Sequence, residues 1–104
     1  MSQNAHAYTA PSPAKILASV KQAIRAGGWA WPGGYPLYVV MSDGESLSIA
    51  AARSEWPRIA RSTIARSRDG WAAAGVQVNW EDSELYCAHT GERIESAYAE
   101  DERA

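Results

Sequence analysis

Leu37-Tyr-Val-Val-Met-Ser-Asp-Gly-Glu-Ser-Leu-Ser-Ile49 decides the fold. Residues 37–41 are β-branched, aromatic and apolar, the make-up of a central strand. Residues 42–45 contain Asp43-Gly44, a strong short signal for a tight turn between paired strands. Residues 46–49 read as the return strand. The middle of the chain is therefore expected to be an antiparallel hairpin.

Upstream, Ser12-Pro13 is a helix start, with the serine as N-cap and the proline at the first helical position. Over residues 14–26, Ile16, Leu17, Val20, Ala23 and Ile24 recur at helical spacing and leave Lys15, Gln22 and Arg25 outside. Gly27-Gly28 then supplies the left-handed stop. Residues 29–36 hold two prolines and two further glycines and cannot be a regular helix. Downstream, residues 50–68 return to a helical pattern, with Ile49, Trp56, Ala60, Thr63 and Ile64 towards one side. Pro57 fits if the main helix starts near Ser54. Arg66 and Arg68 would then suit the negative end of the helix, and Gly70 would close it. Residues 75–80 alternate like a strand, 81–84 turn, and 85–87 begin another short strand. After a turn at 89–91, Ile94 and Tyr98 are expected to face inward.

This order predicts an α+β domain over 12–104: an N-terminal helix and a small antiparallel sheet with a second helix packed on it. Residues 1–11 read as a flexible arm, and 99–104 as a fraying tail. The length of 104 residues supports one modest core. No apolar run approaches bilayer length, so no membrane association is expected. The N-terminus lacks the basic-then-apolar order of a secretory signal. Cys87 is the single cysteine, which excludes an internal disulfide and fits a reducing cytoplasm.

The net charge of −2 conceals a division. Residues 1–78 carry eight cations and four anions, a net +4; residues 79–104 carry two and eight, a net −6. Arg58, Arg61 and Arg68 are spaced to share a helical face. That stripe would neutralise phosphates or grip an acidic surface, unless it only solvates an amphipathic helix. Glu81, Asp82 and Glu84 would bind a basic partner surface, unless they only solvate a turn. Of the five tryptophans, Trp56 and Trp80 are expected in the core, and Trp71 over the helix end. Trp29 and Trp31 flank Pro-Gly-Gly and are candidates for an exposed contact patch.

Cys87-Ala-His-Thr-Gly91 has the outline of a zinc knuckle whose second ligand position is Thr90. One cysteine and two histidines do not make a four-ligand zinc site, so neither metal nor cofactor is expected. Tyr35-Pro-Leu-Tyr38, Ser42-Asp-Gly44, Val78-Asn-Trp-Glu-Asp82, Leu85-Tyr-Cys87 and His89-Thr-Gly-Glu-Arg-Ile-Glu-Ser-Ala-Tyr98 together resemble small proteins carried by bacteriophages and other mobile elements. The resemblance covers about two thirds of the chain. It implies Cys-x-x-Cys pairs at the two hairpin turns, from which this sequence departs at Thr90 and near residues 48–52. It also implies a bacterial cytoplasm and an accessory role, for which anti-CRISPR proteins are the best-known example.

Cys87, His89 and Asp82 are the only residues that suggest a nucleophilic set. No phosphate loop, dinucleotide fingerprint or nucleophile elbow accompanies them, and no enzyme is expected. Two functions remain. One is a stoichiometric inhibitor that blocks a host protein or ribonucleoprotein, such as a CRISPR effector, by covering a nucleic-acid channel or a subunit surface. The other is a nucleic-acid-binding module on a zinc-ribbon scaffold that has lost its metal, using Arg58, Arg61, Arg66 and Arg68 on phosphates.

Overall fold

Ser12 opens the first helix, α1 (Pro13–Arg25), by accepting the Lys15 N–H on its hydroxyl at 3.2 Å. Pro13 has no N–H to lose in this first turn. The computed structural model describes residues 11–98, so most of the expected arm and all of the expected tail lie outside the described residues. Leu17, Val20 and Ala23 form the buried face of α1. The helix ends on Gly27 and Gly28, at φ 74° and 90°. Gly28 has a second reason to lack a side chain: a Cβ there would come within 3.4 Å of Ile49.

Two short hairpins follow. Strand β1 (Trp29–Ala30) turns into β2 (Tyr35–Met41), and β2 turns through 42–45 into β3 (Ser46–Ser48). The first helical segment after the hairpins is α2 (Ile49–Ser54), the second is α3 (Trp56–Ala65), and β4 (Ala73–Val78) completes the sheet. Strand β2 is central. It pairs antiparallel with β3 through Val39↔Leu47 and with β4 through Val39↔Val76, and β1 pairs with its start. The α+β class expected from the sequence is the observed one. Asp43 holds the turn by accepting the Glu45 N–H at 3.0 Å.

The core joins α1, β2, β3, both later helices and the last segment. Val20, Val39, Ile59 and Cys87 are its largest fully buried side chains. Burial of such apolar groups contributes roughly 25 cal/mol per Å² and dominates the stability of a chain this small. Among the described residues, no helix is long and apolar enough to cross a membrane.

Several expectations need correction. The single helix over 50–68 is two helices, broken at Glu55 (φ −107°, ψ 21°). In a continuous helix Pro57 could not donate to the Arg53 carbonyl and its ring would clash with it, whereas the first turn of a new helix tolerates it, so the chain restarts there. Ile49 does not end the return strand; it begins α2, which Ser48 caps by accepting the Ala51 N–H at 3.1 Å. The buried face of α3 is Ile59, Ser62 and Thr63, and Ile64 is 65% exposed. Thr63 is drawn in because its hydroxyl accepts the Ala73 N–H at 3.0 Å. Ser62 donates its hydroxyl to Asp69 at 2.9 Å. Strand β4 lies two residues earlier than expected, and the strand at 85–87 is reduced to one bridge, Tyr86↔Arg93.

Candidate functional site

Residues 79–98 carry five of the twelve acidic residues without regular secondary structure, and Asn79 organises them. Its side chain is 3% exposed. The Nδ2 group donates to the carbonyls of Asp82 (3.0 Å), Glu95 (3.0 Å) and Ile94 (3.3 Å). Oδ1 accepts the Asp82 N–H at 3.2 Å. One amide thus joins the turn at 79–82 to the returning chain at 94–95. The backbone continues the junction: Ala97 N–H donates to the Asn79 carbonyl and Tyr98 N–H to that of Trp80. Asp82 in turn accepts the Glu84 N–H at 2.9 Å, so part of its carboxylate holds the turn.

This junction places a row of rings at the surface. Trp80 stands between Tyr35, at 4.8 Å between centroids, and Tyr98, stacked on it at 5.9 Å and 14°. Trp80 is 46% exposed and Tyr98 48%, so neither takes the core position expected for it. The reason is that Asn79 occupies the buried position at the end of β4 and turns its neighbour outward. Glu81, Asp82, Glu84 and Glu95 are exposed in the same segment. The three acids expected to meet a partner are therefore joined by aromatic anchors and a fourth acid.

The other expected contact residues are dispersed. Trp31 is 68% exposed beside Gly34 at the tip of the first hairpin, whereas Trp29 is half-buried. Arg58 and Arg61 lie on α3, but the helix ends before Arg68. Arg66 occupies the left-handed C-cap at φ 55° and ψ 43°, so the chain leaves the helix axis there. The expected three-arginine face does not form. Arg58 is also engaged: its Nε is 3.8 Å from Glu55, and its guanidinium sits 4.8 Å over Trp71. Trp71 meets His89 edge-on at 5.2 Å, and His89 Nε2 is 3.5 Å from Glu55, which closes a ring of four side chains. Trp71 thus packs beside the start of α3 rather than over its end. Nearby, Asp69 accepts the Trp71 N–H and the Ser62 hydroxyl, and these bonds hold its carboxyl below the usual carboxylate range.

The knuckle-like turn is closed by hydrogen bonds. Gly91 N–H donates to the Cys87 carbonyl, Cys87 N–H to Glu92, and Ala88 N–H to Ser46. Cys87 is 1% exposed, and its Sγ accepts the Ser48 N–H at 3.3 Å. Burial pushes the thiol up, but hydrogen bonds from Ser48 and Thr90 outweigh it and bring its pKa to about 7. Ser48-Ile-Ala-Ala51 and Cys87-Ala-His-Thr90 thus face each other at the same spacing. One thiol, two hydroxyls and a methyl do not fit a zinc ion. No group of three His, Cys, Asp or Glu converges among the described residues. The three side chains considered for nucleophilic chemistry also go to different partners: His89 to Trp71 and Glu55, Asp82 to its own turn, and Cys87 to the core.

The depressed thiol has a measurable consequence. Its unfolded counterpart titrates near pH 8.5, so the thiolate contributes stability fully present above that value and lost as pH falls through about 7. The stability difference between the wild type and Cys87→Ser is expected to grow by on the order of 2 kcal/mol from pH 6 to pH 9. Urea unfolding of both proteins at each pH reads this directly, and a difference independent of pH would contradict it.

Comparison with known proteins adds no relative: no family model, no curated protein and no solved structure matches the chain.

Sequence reading missed Asn79, Tyr35 and Glu95 as parts of the site. A polar residue at the end of an alternating strand, directly before a tryptophan, was the one available signal for Asn79.

Proposed function

We propose that this protein is a stoichiometric inhibitor that covers a basic, nucleic-acid-binding surface of a bacterial defence complex, in the manner of an anti-CRISPR protein. The observation that carries the reading is the ring row Tyr35–Trp80–Tyr98 bordered by Glu81, Asp82, Glu84 and Glu95. Exposed aromatic anchors with a charged rim suit a binding surface. Here the rim is negative, which repels nucleic acid and attracts the Lys- and Arg-lined channels that hold it. Carboxylates then occupy the places of phosphates, and stacked rings those of bases. Occlusion of this kind needs no catalytic group. The accessory role in a bacteriophage or mobile element, and the bacterial cytoplasm as its location, rest on the sequence resemblance.

The test is phage plating on paired hosts with and without a CRISPR system. Wild-type protein is expected to restore plating on the CRISPR-positive host and to leave the negative host unchanged. Trp80→Ala, and separately Glu81→Lys with Glu84→Lys, should reduce that rescue at least about tenfold, because central aromatic anchors typically contribute 2 kcal/mol or more. A CRISPR-positive host that restricts phage equally with and without the protein would sink the anti-CRISPR reading. Rescue that survives both sets of substitutions would move the contact away from this face.

A further inference from the structure

The cleft between α1 and the start of α3 is built for the opposite charge. Lys21, Ile24, Arg25, Arg53 and Trp56 line a hollow of about 230 Å³. Trp56 is half-buried at the first turn of α3, with Lys21 Nζ 6.0 Å above its ring, at the outer limit of cation–π attraction. Arg25 and Arg53 reach the same hollow from the last turns of α1 and α2.

Three features separate this cleft from an ordinary solvated face. Lys21 and Arg25 are four residues apart on one helix, a like-charge spacing that weakens a helix. Among the described residues no acid forms an ion pair with them, and neither α1 nor α2 contains an Asp or Glu. The nearest carboxylate in sequence, Glu55, is engaged by Arg58 and His89. Uncompensated cations around an indole form a site for an anion that carries a flat ring.

We infer that this cleft binds a nucleotide unit, with its base against Trp56 and its phosphate between Arg25, Arg53 and Lys21. The volume lies below the roughly 300–1,000 Å³ of pockets for whole ligands, so it takes one ring system rather than a dinucleotide cofactor. The ring comes to the indole by stacking, which accepts any base. The phosphate displaces the Lys21 ammonium from its distant position over the ring and shares it with the guanidinium groups, which suit phosphate oxygens. The nucleotide is either free or one unit of a single strand; the chemistry of the cleft is the same for both.

The experiment is a fluorescence-anisotropy titration of the full chain with labelled ten-nucleotide oligoadenylate RNA, competed by AMP, heparin or inorganic phosphate. The strand is expected to bind with a log–log salt slope of about 0.7, the value for one neutralised phosphate on a single strand. AMP competing as tightly as the strand assigns a free nucleotide, and weaker competition assigns a strand. Trp56→Ala should weaken strand binding roughly 5- to 150-fold, with Trp56→Phe retaining most of it. Arg25→Glu with Arg53→Glu changes exposed side chains only, so the fold should persist while binding is lost. Trp80→Ala, outside this cleft, should leave strand binding unchanged. Absence of strand binding at 50 mM salt would overturn the assignment. So would binding that ignores the Arg25/Arg53 reversal, or heparin binding that matches the strand and ignores Trp56.

Discussion

Changing Ser48, Ala51 and Thr90 together to cysteine is expected to produce a tetrahedral zinc site with Cys87 and raise the unfolding temperature by at least about 10 °C in zinc. Three of the four positions already meet, and the fourth, Ala51, is tied to Ser48 by its N–H. Ser48 N–H reaches the Cys87 sulfur, and Ala51 and Cys87 share the buried core. Thr90 hydrogen-bonds the same thiol. Losing the Ser48 cap costs about 1 kcal/mol, and filling the Ala51 position costs 1–3 kcal/mol. Structural zinc binding in small domains contributes about 10–16 kcal/mol, so the metal should outweigh both. Thermal unfolding with zinc and with chelator measures the gain, and the visible spectrum of the cobalt form reports the geometry. An unchanged melting temperature, or an octahedral cobalt spectrum, would show that the two turns do not enclose one point.

Asn79→Ala should be the most damaging single substitution outside the apolar core, at about 3 kcal/mol or more. It removes every bond of a nearly buried side-chain amide, strands the buried carbonyl of Ile94 and takes a partner from the half-buried carbonyls of Asp82 and Glu95. Each unsatisfied buried group costs about 1–3 kcal/mol. Asn79→Asp separates hydrogen bonding from shape. It keeps the volume but replaces the donor with a second acceptor facing three carbonyls, and it should be at least as harmful as the alanine. The urea midpoint measures both. A midpoint for Asn79→Ala within about 0.5 kcal/mol of wild type would mean that the segment at 79–98 does not depend on this amide. Because a typical domain is stable by only 5–15 kcal/mol, the predicted loss also bears on function: the ring row and acidic rim should disperse with the junction.

The local part of the fold was legible because its signals are local. The α1 cap and stop, the Asp43-Gly44 turn and the strand on either side depend on residues within four positions of one another. Pro57 is legible as a constraint, but the point at which it divides the helix is not. It breaks the helix at Glu55 because Ser48 offers an independent cap for a separate helix upstream, a choice that periodicity does not reveal. Helical spacing puts Ile64 on the apolar side and the strand pattern puts Trp80 in the core, yet both are exposed. Their exposure follows from polar neighbours, Thr63 and Asn79, whose hydrogen bonds to distant backbone make burial favourable. The arginine stripe failed for a related reason: helical spacing has meaning only while the helix lasts, and it ends before Arg68. The acidic cluster is visible, whereas its aromatic companions are not, since Tyr35 lies 45 residues before Trp80 and Tyr98 18 after it.

The Asn79 junction also sets an order in time. Its amide bonds carbonyls at 82, 94 and 95, and the Cys87 sulfur takes its hydrogen bond from Ser48, so the last segment needs both its own residues and β3 to complete its bonds. During synthesis, the stretch bearing a net +4 leaves the ribosome first. The stretch bearing −6 is added over about 1–5 s at ordinary elongation rates. Until that stretch is added, the segment that precedes it carries a net positive charge with no acidic segment to balance it.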